Sequence, residues 1–288
     1  QISQYGFTAM SNPTAPSAEF GLATYSTRVE QWECDFNGHW NTRFYGHAFA
    51  HAARVVGALA KDAGTGQPGQ WHMRFHRELA LAALVNVHSA QIAGDAADSA
   101  RLHVLSSISG VSATAIEYQA HPTEQLPIAA EEILNMALPR GLADVATDWT
   151  AHAARPHSVI PLGLVDQADL DSEGRLKLGT MLANSGRGSS ALNQAVGMGR
   201  AFVEEAGIGF MLVEMRTALF PGCPADVPLR MVSRVMAASG KSFITAQLIE
   251  TYDGRPVAQS ELYILAVNLQ TRRATAVPEF LNELLSGG

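Results

Sequence analysis

Apolar residues recur along the chain at two different periods, and the switches between them mark out the elements. Phe44, Tyr45, Ala48, Phe49, Ala52, Val55, Val56 and Leu59 follow one another at three- and four-residue steps, which puts them on one stripe of a helix. Asn41 stands where an N-cap belongs, and Gly64 and Gly66 mark the stop. Beyond them Trp71, Met73 and Phe75 alternate with His72, Arg74 and His76, the two-residue period of a strand. Further strand-like runs cover 84–92, 101–108, 113–120 and 128–138, and one over 25–34 precedes the helix. The second part of the chain follows the same order. A helical region spans 179–205, weakened by Gly186, Gly188, Gly197 and Gly199, and strands follow at 210–219, 227–237, 242–251 and 257–269, with Asp253-Gly254 as the last hairpin turn.

This order points to one unit written twice. Asp35-Phe36-Asn37-Gly38-His39 closes a strand-like run before the first helix, and Asp171-Ser172-Glu173-Gly174-Arg175 sits at the same point before the second. Met73-Arg74 is echoed in Met215-Arg216, Ser109-Gly110 in Ser239-Gly240, and Pro127-Ile128-Ala129 in Pro256-Val257-Ala258. The spacing between partners drifts from 136 to 142 and then to 130 and 129, a drift that modest insertions in loops accommodate. A strand, a long helix and then several strands in succession imply an α+β fold with an antiparallel sheet, rather than alternating parallel units. The expected divisions are a flexible leader over 1–20, a first domain over 21–140, a linker over 141–157 rich in Ala, Asp and His, and a second domain over 158–288.

Composition narrows the function. Hydrophobic residues make up 47% of 288 positions, enough for a substantial core, while charged residues make up 16% and the net charge is -7. No run of Lys or Arg provides the basic footprint of a nucleic-acid binder, although a few local arginines suffice for the phosphates of one small anionic ligand. No stretch approaches a membrane helix in length. Two distant cysteines, Cys34 and Cys223, suit a reducing compartment such as the cytoplasm.

Asp35-Phe36-Asn37-Gly38-His39-Trp40-Asn41, followed by Tyr45 inside the helix, resembles the signature of the hotdog-fold acyl-CoA thioesterases of the 4-hydroxybenzoyl-CoA thioesterase type and of the related acyl-carrier-protein thioesterases. The run Ala266-Val267-Asn268-Leu269-Gln270-Thr271-Arg272-Arg273 is similar to the closing strand of double-hotdog members. The resemblance implies two tandem hotdog domains, each a long helix wrapped by an antiparallel sheet, with the site between the paired folds. It also implies an acyl-CoA or acyl-carrier-protein substrate and association of two chains into a homodimer. Hotdog hydratases place the corresponding Asp and His five positions apart, whereas Asp35 and His39 are four apart, which favours hydrolysis.

Thioester cleavage needs a nucleophile or activated water on one side of the carbonyl and donors aimed at the oxyanion on the other. Asp35 supplies the base or the attacking carboxylate, as the family's Asp does. His39 and Asn41 position groups, and the free amides near Thr42 and Arg43 polarise the carbonyl; no separate cofactor is required. Tyr45 is the further substrate-binding candidate within the helix, Arg74 or Arg77 the candidate contact for a CoA phosphate, and Arg187 and Arg216 are weaker candidates for the same task. Each has a plain structural alternative: Asp35 as a turn-former, Asn41 as an N-cap alone, His39 as a packing residue, and His72, Arg74, His76 and Arg77 as a solvated strand face. In the second copy Arg175 replaces His39 and Lys177 replaces Asn41, so one competent site per chain is expected, built by the first half and lined by the second.

Other constellations carry less. His47 and His51 have the spacing of a shared metal, yet no Glu follows the first His as the zinc-protease helix requires. Cys34 points to the face of its strand opposite Asp35. Gly186-Arg187-Gly188-Ser189-Ser190 lacks the lysine and the strand entry of a phosphate loop. Two other readings of the same fold stand beside hydrolysis: a non-catalytic acyl-thioester or lipid-binding double hotdog, and a hotdog hydratase or dehydratase.

Overall fold

A computed structural model of the chain describes residues 20–35, 38–61, 67, 69–94, 100–118, 123–142 and 154–286. Apart from Phe20, the expected leader lies outside these residues, and so does 143–153 of the expected linker. The elements run β1 (Leu22–Arg28), α1 (Thr42–Ala60), β2 (Gly69–Phe75), β3 (Leu84–Ile92), β4 (Ala100–Ser107), β5 (Gly110–Tyr118), α2 (Glu131–Ala137), β6 (His157–Leu164), α3 (Leu178–Ala195), α4 (Arg200–Ala206), β7 (Ile208–Leu219), β8 (Pro228–Ser239), β9 (Ser242–Thr251), β10 (Pro256–Asn268), β11 (Arg273–Ala274) and α5 (Glu279–Ser286).

The strands form one antiparallel sheet in the order β1-β3-β4-β5-β2-β7-β10-β9-β8-β6, with β11 on β10. Read outward from the β2–β7 seam, the two sides repeat one order: β2, β5, β4, β3, β1 against β7, β10, β9, β8, β6. Across the seam Met73 faces Met215, with pairs running from Gly69–Leu219 to Arg74–Glu214. The sequence echo at these methionines is therefore a structural equivalence, and the local two-fold exchanging the halves passes through that pair.

Both long helices lie on the same face of the sheet and pack against each other. Tyr45, Phe49 and Ala52 of α1 and Met181, Leu182 and Leu192 of α3 share one buried cluster with Met73, Met215, Met231 and Phe243 of the sheet. Each large side chain buried in this way contributes about 1.5–3 kcal/mol. The helices meet at glycines: a Cβ on Gly46 would fall 2.4 Å from Leu182 Cδ1, and one on Gly179 would fall 2.7 Å from the His47 ring.

Four expectations change. The run 128–138 is not a strand: Ile128 makes a single bridge to Gln91, and α2 follows. Glu131 and Glu132 favour a helix start there, and Ile133 and Ala137, one turn apart, cover the second cluster of Leu102, Val104 and Ile116. The strand expected over 25–34 ends at Arg28, because Glu30 and Glu33 form a capping box around a 3-10 turn, Gln31–Glu33. The helical region 179–205 is two helices, broken where Gly197 takes φ +81. The Ser-Gly and Pro echoes are not equivalent positions, since Ser109-Gly110 belongs to the β4–β5 hairpin and Ser239-Gly240 to the β8–β9 hairpin, while Pro127 precedes a helix and Pro256 opens a strand. Among the described residues no helix is long and apolar enough to cross a membrane.

Candidate active site

The chain between β1 and α1 folds into a closed clip. Cys34 and Trp40 form an antiparallel bridge. The Asp35 amide donates to the His39 carbonyl at 2.8 Å, the Gly38 amide donates to the Asp35 carbonyl at 3.0 Å, and the Asn41 amide donates to the Glu33 carbonyl at 2.9 Å. Asp35 Oδ1 accepts the His39 amide at 3.1 Å. Phe36 and Asn37, inside the clip, lie outside the described residues. The clip is fastened to the loop after β2, where the Trp40 amide donates to the Leu79 carbonyl at 2.7 Å and His39 bridges to Ala80.

Asn41 then caps α1, its Oδ1 accepting the Arg43 amide at 3.0 Å. That bond removes Arg43 from the expected pair of free donors. The Thr42 amide meets no acceptor among the described residues and remains at the positive end of the helix dipole.

His39 has a partner that the sequence did not suggest. Its Nδ1 lies 3.3 Å from Glu78 Oε1, and Glu78 Oε2 in turn accepts from Arg272 of the second half at 2.9 Å. A carboxylate on one imidazole nitrogen orients the ring and leaves the other nitrogen to act. Only the pairing of 39–40 against 79–80 brings Glu78 to this place, and no local motif announces it.

Tyr45 is buried against Trp40 and Phe75, with ring centroids 4.7 and 5.7 Å away, and its hydroxyl lies 3.4 Å from the Arg77 carbonyl. Burial pushes its phenol well above the usual range, against a backbone hydrogen bond at Leu79 and with the charge of Glu78 adding to the rise. It stays neutral and forms a wall. The Arg77 side chain is exposed and makes no ion pair among the described residues. Asp35, His39, Asn41, Thr42, Tyr45 and Arg77 thus gather around one clip.

The other three candidates lie elsewhere, and one of them, Arg216 of β7, pairs with Glu261 of β10. Arg74 alternates with core-facing Met73, so it emerges on the sheet face away from the long helices, where it donates to the Met136 carbonyl of α2 at 2.6 Å. Arg187 sits exposed on α3 and donates to Asn184 Oδ1 at 3.3 Å.

The second half repeats the clip at a constant offset of 136. Leu170 bridges Leu176, the Asp171 amide donates to the Arg175 carbonyl at 2.9 Å, and the Lys177 amide donates to the Asp169 carbonyl at 2.8 Å. Its chemistry is different. Asp171 Oδ1 accepts the amides of Glu173 and Arg175, both at 2.9 Å, and Oδ2 pairs with Arg175 Nε at 2.9 Å. Arg175 also pairs with Glu173 and donates to the Gln67 carbonyl of the first half at 2.9 Å. This carboxylate is tied to a guanidinium, with no imidazole beside it.

No family model matches the chain, and no curated protein matches it in sequence. Solved structures match in shape. The 12:0-ACP thioesterase from Umbellularia californica superposes with a TM-score of 0.60 at 11% identity, covering 86% of this chain and 94% of its own. A conserved protein of unknown function with the hot dog fold from Alicyclobacillus acidocaldarius gives a TM-score of 0.52 at 13% identity, covering 86% and 97%. The chain has the hotdog fold. An acyl-ACP thioesterase from Bacteroides thetaiotaomicron gives 0.50 at 12%, covering 83% and 96%. At such identities the likeness is one of fold.

Proposed function

We propose that the chain is a tandem double hotdog, with domains over 21–140 and 158–288 joined by the linker 141–157, that hydrolyses an acyl thioester of CoA or an acyl carrier protein. The observation that carries this reading is His39, held between Asp35 and Glu78 at the open amide end of α1. Asp35 acts as base toward a water, or as the attacking carboxylate. The His39 ring, fixed by Glu78, positions the water and donates to developing charge. The Thr42 amide and the helix dipole stabilise the oxyanion as the carbonyl carbon becomes tetrahedral. On the base route collapse breaks the C–S bond and frees the acid, and the thiolate takes the proton that Asp35 drew from the water. On the nucleophilic route collapse leaves a mixed anhydride on Asp35, which water hydrolyses to the acid and the regenerated carboxylate, and the proton released protonates the thiolate. Arg77, exposed beside the clip, meets a phosphate of the thiol carrier. The locked Asp171–Arg175 clip supports one such centre per chain.

Thiol and carboxylic acid release from a panel of saturated and aromatic acyl-CoAs tests this. Equimolar release of both is expected. Binding of every acyl-CoA without release, or water addition to an enoyl-CoA with the thioester intact, overturns it.

A further inference from the structure

Trp40 stands on the opposite side of segment 39–41 from His39 and Asn41, and the cleft it faces contains none of the groups assigned to the bond-breaking chemistry. This cleft, of ≈ 270 Å³, lies between β1 and the flank of α1 and is lined by Tyr25, Thr27, Glu33, Trp40, Phe44, His47 and His51. Five of those seven side chains are flat rings. They stand in two stacks: Tyr25 on His51, with centroids 5.0 Å apart and planes 11° apart, and Trp40 on Phe44 at 6.2 Å and 15°, with His47 against Phe44 at 5.8 Å.

One wall carries an acceptor in reserve. Glu33 Oε2 takes both the Trp40 Nε1–H at 2.9 Å and the Glu30 amide at 3.1 Å, so Oε1 has no donor among the described residues. Burial, with the charges of Arg43, His51 and Lys177 and against that of Glu33, pushes the His47 imidazole below its ordinary range.

The second copy provides an internal comparison. At the offset of 136 fixed by the two clips, Trp40, Phe44, His47 and His51 become Leu176, Thr180, Ala183 and Arg187, and Glu33 becomes Asp169. There the rings are missing, and Asp169 Oδ1 accepts the Thr180 hydroxyl at 3.1 Å. The shared backbone does not require this ring-lined cleft.

We infer that the first-half cleft binds a neutral planar aromatic ring carrying one hydrogen-bond donor, the ring lying against the Trp40–Phe44 and Tyr25–His51 stacks and its donor reaching Glu33. A dry cavity of roughly 150 Å³ takes benzene, so this cleft has room for a bicyclic ring. The Glu33 carboxylate selects against an acidic ligand.

Calorimetric titration of the full chain with indole and phenol tests the site, with benzoate and cyclohexanol as controls, alongside ¹⁹F spectra of 5-fluorotryptophan-labelled protein. Saturable binding of indole and phenol that shifts the Trp40 resonance is expected, with neither control binding. Phe44→Thr, which installs the second copy's residue, is expected to weaken binding about tenfold or more while the thermal melt stays cooperative. Glu33→Gln is expected to bring benzoate binding closer to that of phenol. Competition by phenylacetyl-CoA, with CoA inert, assigns the ring to a thioester, and its absence assigns a free ligand; both uphold the site. Equal binding of cyclohexanol, no saturable heat with indole, or unchanged affinity in folded Phe44→Thr overturns it.

Discussion

Glu214 sits in β7 at the seam, 2% exposed, and its carboxylate accepts from the first half and the segment that follows it. His72 Nε2 lies 2.9 Å from it. The amides of Arg140, Gly141 and Leu142 donate to it at 3.1, 2.8 and 3.3 Å, which pins the end of the first half onto the central strands. Glu214→Ala leaves the buried His72 and the buried Leu142 amide without an acceptor, and the half-buried Gly141 amide with only partial hydration. At about 1–3 kcal/mol for each orphaned group, the expected loss is about 3–5 kcal/mol, a large share of a typical total of about 5–15 kcal/mol. Glu214→Gln keeps one acceptor oxygen but turns an NH₂ toward backbone donors, for a loss of about 1–3 kcal/mol. Burial works to raise this carboxyl, yet the hydrogen bonds from His72, Gly141 and Arg140 outweigh it and hold the group below its ordinary 4.5. Because it is more acidic folded than unfolded, its stabilisation is complete above pH 4.5 and fades as pH falls below that value. Urea unfolding followed by tryptophan fluorescence at pH 7 and at several values below 4.5 measures both effects. A Glu214→Ala loss under about 1 kcal/mol, or a Glu214→Gln variant whose stability still drops below pH 4.5 as steeply as the parent, refutes the reasoning.

Other perturbations follow from the same geometry. His76, bonded to Thr114 Oγ1 at 3.1 Å, is pushed down to about 4 by burial and by Arg74 and Arg140. The unfolded chain therefore gains its proton first, and stability should fall as pH drops from 6.5 to about 4; His76→Asn should flatten that limb in pH-dependent melts. Gly179→Ala places a methyl 2.7 Å from the His47 ring and should cost about 1–3 kcal/mol through overpacking, measured as a lowered urea midpoint with an unchanged slope.

What was legible in the sequence was what depends on local period. The helix carrying the stripe from Phe44 to Leu59, its Asn41 cap and the strand from Trp71 to Phe75 needed no tertiary information and are found in the structure, although Val55 and Leu59 of the stripe are exposed. The duplication was legible where a longer pattern was shared, as in the two Asp-containing clips and the Met73–Met215 pair. It was misread where the echo was only a turn or a proline, because Ser-Gly and Pro-Val-Ala recur wherever hairpins and strand starts do. Residues 128–138 looked like a strand because seven helical residues show too few turns to reveal their period. Three groups were out of reach. Glu78 meets His39 only through non-local pairing, and no local signal shows that α2 covers Arg74 on the outer sheet face. Glu214 reads as one charge in a strand until residues 140–142 close over it.

The central claim is that the first clip carries the chemistry and the second has been locked for structure. Steady-state thiol release by Asp35→Asn and Asp171→Asn, measured side by side on the best acyl-CoA with both variants shown to be folded, tests it most directly. Turnover in Asp35→Asn should fall by about 10²–10⁴-fold, the range of a lost general base, while Asp171→Asn keeps turnover within about threefold and loses only thermal stability. Full activity in Asp35→Asn, or its loss in Asp171→Asn alone, would contradict the account.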